Sequence, residues 1–402
     1  MNEVPVMAND VFDISTDVQV LVYTYAPTTM VWSSSRWDED YWASGSETLS
    51  WQQVTGDVVN VTTENGFEIL SGYARPQTPT ATIVMQGADY DPAMNSLMRP
   101  GVPIRIQVRP NPTSAPSTWK TLWQGRIADC AVSYSTNWLN TITFQCDHGI
   151  RDVLNYVSTT GISVTNPCYS TDFWTVMNAA TGVNIIQSSA PALVGYDVQG
   201  YTTSGNVNYG TLVNNLSDTN LGALVYSPNL SDTNLYYYTW YELQNRVVSP
   251  DVVFEGVASA TANRADFSEI TVGFDSLQFV NTLNYTTAGG VDAYSLNTDA
   301  IAIAGELRGN VYTRHYYSAD ATAAANIVTA TIPTQLVRQI TAPVILRAGQ
   351  VNEYLLRDPL DTAQVTVANT KVELNDVFFI RGVSHFITAD SWDVTFDLWK
   401  GR

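Results

Sequence analysis

Residues 81–108, ATIVMQGADYDPAMNSLMRPGVPIRIQV, followed by WKTLWQGRIADC at 119–130 and NTITFQCDHGIRDVL at 140–154, decide the reading of the fold. Ile104, Ile106 and Val108 fall on one face of a strand and Arg105, Gln107 and Arg109 on the other, because side chains of an extended chain alternate. Ile142, Phe144 and Cys146 against Thr141, Thr143 and Gln145 repeat the pattern. At the far end Trp392, Val394, Phe396 and Leu398 alternate with Asp393, Thr395 and Asp397. Such alternation marks half-buried strands, so both ends of the chain are expected to be antiparallel sheet with one face wet.

Working outward, strands are expected near 17–24, 56–63, 80–86, 103–109, 119–134 and 139–147, with turns at Glu64 to Gly66, near Pro76 and at Arg99 to Gly101. HGIRDVLNYV then reads as a short helix with Asp147 as N-cap, placed to plug one open end of a small barrel. These parts make a first β domain at 1–157. From 158 to 266 the texture becomes α+β: STDFWTVMNAATG has caps among Ser170, Thr171 and Asp172 and a stop at Gly182, and NYGTLVNNLSDTN is a second helix leading into a strand pair. The string NLSDTNL occurs twice there, at 215–221 and 229–235, and reads as a helix C-terminus and a hairpin turn sharing turn chemistry rather than as a repeat. Strands return over 267–402, interrupted by the Ala-rich helix SADATAAANIVTATI with Ser318 or Asp320 as cap. The expected class is mainly β with an α+β insertion.

A chain of 402 residues has room for two or three domains at roughly 100–200 residues each. Only 14% of residues are charged, so Thr, Ser, Asn, Gln and Tyr must cover most of the surface, which suits sheets and large subunit contacts. With 38 acidic against 19 basic residues the formal charge is −19, and no basic cluster is present. A nucleic-acid gripper neutralises phosphates with clustered Lys and Arg, so this balance points to solubility or to a surface past which DNA slides without sticking. The N-terminus lacks the pattern of a signal peptide, and no apolar run approaches the ~20 residues of a membrane helix, so assembly in a cytoplasm is expected. Cys130, Cys146 and Cys168 show no CxxC spacing and read as small buried side chains.

The search for chemistry yields little. Nucleophile elbows, zinc-protease motifs, P-loops and dinucleotide fingerprints are absent, and His148, His315 and His385 lie in distant segments. Cys146-x-His148 lacks the second pair of ligands that a structural zinc site requires. Asp89-x-Asp91 opens like a calcium loop but lacks its glycine and closing glutamate, so an Asx turn before Pro92 explains it more simply. RWDEDYW at 36–42 sets carboxylates between aromatics; Trp37, Asp38, Tyr41 and Trp42 form either a partner-contact loop or, less simply, a saccharide cleft. No catalytic, metal or cofactor-binding residues are assigned.

In order along the chain come Trp51-Gln-Gln-Val54-Thr55, Ala81-Thr-Ile83 with Asp91-Pro92, Pro100-Gly101 with Ile104 and Ile106, and Leu122-Trp123-Gln-Gly125-Arg-Ile127-Ala-Asp129. Cys146 and Asp147 follow, then VNTLNYTTAGG, AIAIAGELRG and the closing IRGVSHFITADSWDVTFDLW with Gly382, His385 and Trp392. This succession resembles the hub proteins at the distal tip of tailed-bacteriophage tails, especially the minor tail proteins of long-tailed siphoviruses.

The resemblance implies a scaffold without catalysis: two tail-tube-like antiparallel β-barrel domains around the central α+β domain, three chains to a ring. Three chains with two barrels each give six tube-like units, which match a threefold tip to a sixfold tube. Expected partners are further copies of the chain, distal tail or tube proteins, the tape-measure protein and tail fibre or tip proteins, with DNA passing through the channel unbound, in the virion's distal tail tip. Two rival functions remain. One is a receptor- or carbohydrate-binding tail protein, favoured by 11 Trp and 22 Tyr. The other is a cell-wall-degrading tail enzyme, for which the chain leaves little room after its closing strands.

Overall fold

The computed structural model describes residues 18–25, 49–53, 58–70, 73–87, 90–93, 98–108, 119–136, 140–188, 195–231, 233–246, 250–256, 263–273, 280–290, 292–330, 336–343, 354–355, 357–368, 373–388 and 391–400. The first part holds β1 (Val18–Tyr25), β2 (Leu49–Gln53), β3 (Val58–Leu70), β4 (Tyr73–Pro76), β5 (Thr80–Gln86), β6 (Pro103–Val108), β7 (Lys120–Ser133) and β8 (Thr141–Asp147). Its main ladder runs β2-β1-β6-β7-β8-β5-β3, antiparallel throughout. Ile83, Ile104, Ile106, Val108, Ile127, Ile142 and Phe144 are fully buried on one face, as the alternation requires. Burying each such side chain contributes about 1.5–3 kcal/mol. The Arg99 to Gly101 turn is present, with Gly101 at φ 94° donating to the Ile127 carbonyl at 2.7 Å.

Glu64 to Gly66 is not a turn. β3 continues through it to Leu70, because Phe67 and Ile69 beyond it are buried like Val61 before it, and the far end pairs with β4. Gly66 serves a close strand approach instead, described below.

The central unit contains α1 (Ile150–Asn155), β9 (Val157–Ser158), β10 (Ile162–Val164), α2 (Ser170–Thr181), β11 (Ile185–Gln187), β12 (Tyr201–Thr203), β13 (Val207–Asn208), α3 (Tyr209–Asn220), β14 (Ala223–Tyr226), β15 (Leu235–Tyr238) and α4 (Trp240–Arg246). Helix α1 plugs no barrel end: Ile150 and Val153 pack with Phe173, Met177, Val213 and Leu216 in the central unit's own core. Asp147 does not cap it. Its carboxylate pairs with Arg151, and His148 Nδ1 accepts the Ile150 N–H at 3.1 Å. At α2 the N-cap is Tyr169, whose N–H is accepted by Asp172 at 2.9 Å, while Gly182 ends the helix at φ 70°. The first NLSDTNL is the C-terminus of α3, and the second is the turn between the antiparallel strands β14 and β15.

The last part holds β16 (Val252–Glu255), β17 (Arg264–Asp266), β18 (Glu269–Gly273), β19 (Thr282–Thr287), β20 (Asp292–Leu296), α5 (Thr298–Ala304), β21 (Arg308–Thr313), α6 (Ser318–Thr329), β22 (Leu336–Pro343), β23 (Thr362–Ala368), β24 (Glu373–Thr388) and β25 (Trp392–Trp399). Tyr317, not Ser318 or Asp320, is the N-cap residue of α6. β24 is the keystone: it pairs with β23, β25 and β3, merging both ends of the chain into one fifteen-stranded sheet with one shared core. β16 lies parallel to β17 and β23. Among the described residues no ladder joins β2 to β3 or β17 to β18, so tube-like closure of either half is not among the pairings. β19, β20 and β21 form a separate sheet backed by α6, whose core includes Tyr73 of β4 and Leu221 and Trp240 of the central unit.

Candidate functional site: the polar face of the joined sheet

Opposite the shared core, the residues left over by alternation line up across the seam between the two halves. One row, read from the strand registers, is Asp129, Gln145, Thr82, Thr62, Phe386 and Asp393. The next is Arg126, Asp147, Thr80, Glu64, Ser384, Thr395, Thr341 and Glu269, crossing eight strands. Hydroxyl and amide groups satisfy one another along these rows, as in the Thr82–Gln145 bond of the first at 2.9 Å. The face carries Asp129, Asp147, Glu64, Asp393, Asp397 and Glu269. The arginines described on this face are occupied: Arg126 pairs with Asp152, Arg264 with Glu255 and Arg381 with Asp397 at 3.5 Å, and Arg105 donates to Gln124 Oε1 at 2.6 Å. Such a surface attracts a polyanion little and presents few fixed charges to hold one.

A groove of about 530 Å³ runs along the seam, lined by Glu64, Gly66, Glu68, Arg381, Gly382 and Asp397 among others. At its floor Gly66 faces Gly382. A Cβ on Gly66 would lie 2.7 Å from the Arg381 carbonyl oxygen and 2.8 Å from Gly382 Cα, so the halves join only through bare backbone. Arg381 is the extra residue of a bulge that turns its side chain toward Asp397.

The signature residues fall into separate groups rather than one site. Asp91 is buried, accepts the Ala93 N–H at 2.8 Å in an Asx turn, and takes the Tyr134 hydroxyl at 2.7 Å. The Pro92 carbonyl accepts Arg99 Nε at 3.1 Å, so Pro92, Pro100 and Gly101 share one corner. Gly125, Asp129, Cys146 and Asp147 adjoin on β7 and β8; a side chain at Gly125 would collide with Trp123 and the Asp147 carbonyl. Burial pushes the Cys146 thiol well up. Trp51 lies on the edge strand β2 under the Arg105 guanidinium, 4.4 Å from its ring centroid. Gly382, His385 and Trp392 meet on β24 and β25, where Trp392 Nε1 donates to His385 Nδ1 at 3.3 Å and burial takes His385 down to about 3. Trp37, Asp38, Tyr41 and Trp42 lie outside the described residues. Among the described residues no group of His, Cys, Asp and Glu is arranged to hold a metal, and no described helix is long and apolar enough to cross a membrane.

No protein-family model matches the chain, and no curated protein matches it. Solved structures do. The 43 kDa tail protein of prophage MuSo2 from Shewanella oneidensis superposes with a TM-score of 0.56 at 10% identity, over 96% of this chain and 97% of that one. The tail protein from Neisseria meningitidis MC58 gives 0.56 at 11% identity, over 95% of each. The chain has the fold of prophage tail proteins. Prophage tail protein gp18 from Listeria monocytogenes EGD-e gives 0.50 at 10% identity, over 96% of this chain and 95% of that one.

In this tail-protein fold the central unit is fastened to the sheet by polar joints that sequence reading did not single out. Arg75 of β4 forms a two-pronged ion pair with the buried Asp218 of α3, its second contact at 3.0 Å. Thr219 Oγ1 accepts the N–H of Arg314, just after β21 of the separate sheet, at 2.8 Å, and within the central unit Asn220 Oδ1 accepts the Tyr196 N–H at 2.9 Å. Asn229 reaches Asp358 across the second joint. Asp218, Thr219, Asn220 and Asn229 all belong to the duplicated NLSDTNL, so the repeated string was the available signal. The buried Arg314 is held by the Gln199 and Gly200 carbonyls and by the faces of Phe173 and Tyr201.

Proposed function

We propose that this protein is the structural hub of a bacteriophage tail tip. Three chains form a ring that continues the tail tube, adapts it from sixfold to threefold symmetry, and lines the exit channel for the tape-measure protein and then DNA, without catalysis. The observation that carries the reading is the continuous acidic, hydroxyl-rich face running across both halves of the joined sheet, in a fold shared end to end with tail proteins. A channel wall for DNA requires such a face, since each phosphate contact would retard passage. The test is charge reversal on the face: Glu64→Lys with Asp393→Lys should slow genome ejection, with normal rates restored at high salt. Ejection kinetics unchanged at low salt would refute the channel assignment.

A second reading, receptor or saccharide binding, is favoured by the solvent face of β19 to β21, where Tyr294, Leu296 and Tyr312 are exposed beside Asn284 and Asn310. Tyrosine rings flanked by amides suit sugar faces and hydroxyls. Binding to host cells that is lost in Tyr294→Ala/Tyr312→Ala would establish it; the hub reading predicts none.

A further inference from the structure

The turn between β14 and β15 is where the central unit meets both halves of the large sheet. From the first half, Asn65 Nδ2 donates to the Tyr226 carbonyl at 3.0 Å, and His148 stacks on Tyr226 with ring centroids 3.9 Å apart. From the second half comes Asp358, 5% exposed. Its carboxyl group faces the Ser227 hydroxyl, the Asn229 N–H at 3.2 Å and Asn229 Nδ2 at 2.9 Å. All three partners are uncharged. The nearby arginine, Arg246 of α4, goes to Asp361 at 3.1 Å and to the Leu360 carbonyl, and Arg357 also acts on Asp361. Asp361 in turn accepts the Asp358 N–H at 2.9 Å, which brings its carboxylate against the Asp358 backbone. The other titratable groups packed here have their own roles. Asp251 binds Thr362, Glu242 and Tyr238 flank Arg246, and His385, which shares a small cavity with Asp358, is kept neutral by burial.

Asp358, buried beside Asp361 and held by uncharged partners while Arg246 bonds Asp361, is the acid that burial drives toward its neutral form. We propose that Asp358 is a proton-operated clasp: protonated, it holds the turn at residues 227–231 on the sheet, and as it ionises the central unit's grip there weakens. The neutral acid donates its O–H to Ser227 Oγ and still accepts from Asn229. The ionised acid still accepts from Ser227 and Asn229 but sits buried beside the Asp361 charge. Burial first, and Asp361 second, push the Asp358 carboxyl up to about 7, against about 3.9 when free. The docked turn therefore binds its proton more tightly than the undocked one. The docking constant is greatest below about pH 4, falls on the order of tenfold per pH unit between about 4 and about 7, and is level above that.

Hydrogen exchange of the full chain, followed by mass spectrometry on the peptide covering 227–235 and corrected for intrinsic rates, tests this. Protection should fall on the order of tenfold per pH unit between about pH 5 and about pH 7 and level off above, and Asp358→Asn should abolish the fall. Protection independent of pH in the wild type, or the same fall in the variant, would overturn the proposal. Should the variant not fold, carboxyl ¹³C titration of the wild type decides: an Asp358 midpoint near neutrality supports the clasp, and one in the ordinary carboxylate range overturns it.

Discussion

Gly66→Ala probes the seam that makes two halves into one sheet. The new methyl group would stand 2.7 Å from the Arg381 carbonyl oxygen and 2.8 Å from Gly382 Cα, both backbone atoms of the keystone strand β24. Neither can swing aside as a side chain would, so β3 and β24 must part locally or the ladder from Gly66 to Asn60 must shift. Overpacking costs about 1–3 kcal/mol, and a backbone-on-backbone clash belongs at the upper end of that range. With a urea m-value of about 3 kcal/mol/M, the unfolding midpoint should drop by about 1 M. Tryptophan fluorescence is a suitable readout, because Trp399 packs edge-on against Phe67, next to the seam, at 5.9 Å. Gly149→Ala is the matched control: its φ is −60° and nothing lies within 4 Å of the added carbon, so its midpoint should not move. A Gly66→Ala protein as stable as wild type would refute the close-approach argument.

Asp218→Asn breaks the partly buried pair with Arg75 and should destabilise by about 3–5 kcal/mol, read from thermal unfolding, because it strands the arginine against the central unit. His148, His315 and His385 are all held below the ordinary imidazole value by burial, to about 3, about 4 and about 3. Their contribution is fully present above about pH 6.5 and is lost as pH falls toward those values, at up to about 1.4 kcal/mol per pH unit for each histidine, measurable as proton uptake on unfolding near pH 5.5. Gly125→Ala should destabilise as Gly66→Ala does, since its methyl group meets the Asp147 carbonyl as well as the Trp123 ring.

Period-2 alternation made β5 to β8, β24 and β25 legible, because one face of each is core and the other polar. Gly182 was readable as a stop because a left-handed cap suits glycine. Glu64 to Gly66 misled because glycine serves both turns and close approaches, and only the partner strand, more than 300 residues later, tells them apart. The caps of α1, α2 and α6 were misplaced by one or more residues, since Gly149, Tyr169 and Tyr317 hold these positions without the usual short polar side chain. The joining of the two halves was invisible for a related reason: strand register across a long separation leaves no local pattern. The joints at Asp218 and Asn229 were hinted at only by the duplicated string, whose first copy caps a helix and whose second makes a turn.

The central claim is that the acidic face of the joined sheet lines the channel of a threefold tail-tip ring. Imaging of intact particles tests it most directly. The account predicts three copies of the chain at the tip, with Glu64, Asp393 and Asp397 facing the axis. A particle without this chain, or a ring in which that face points outward, would contradict it.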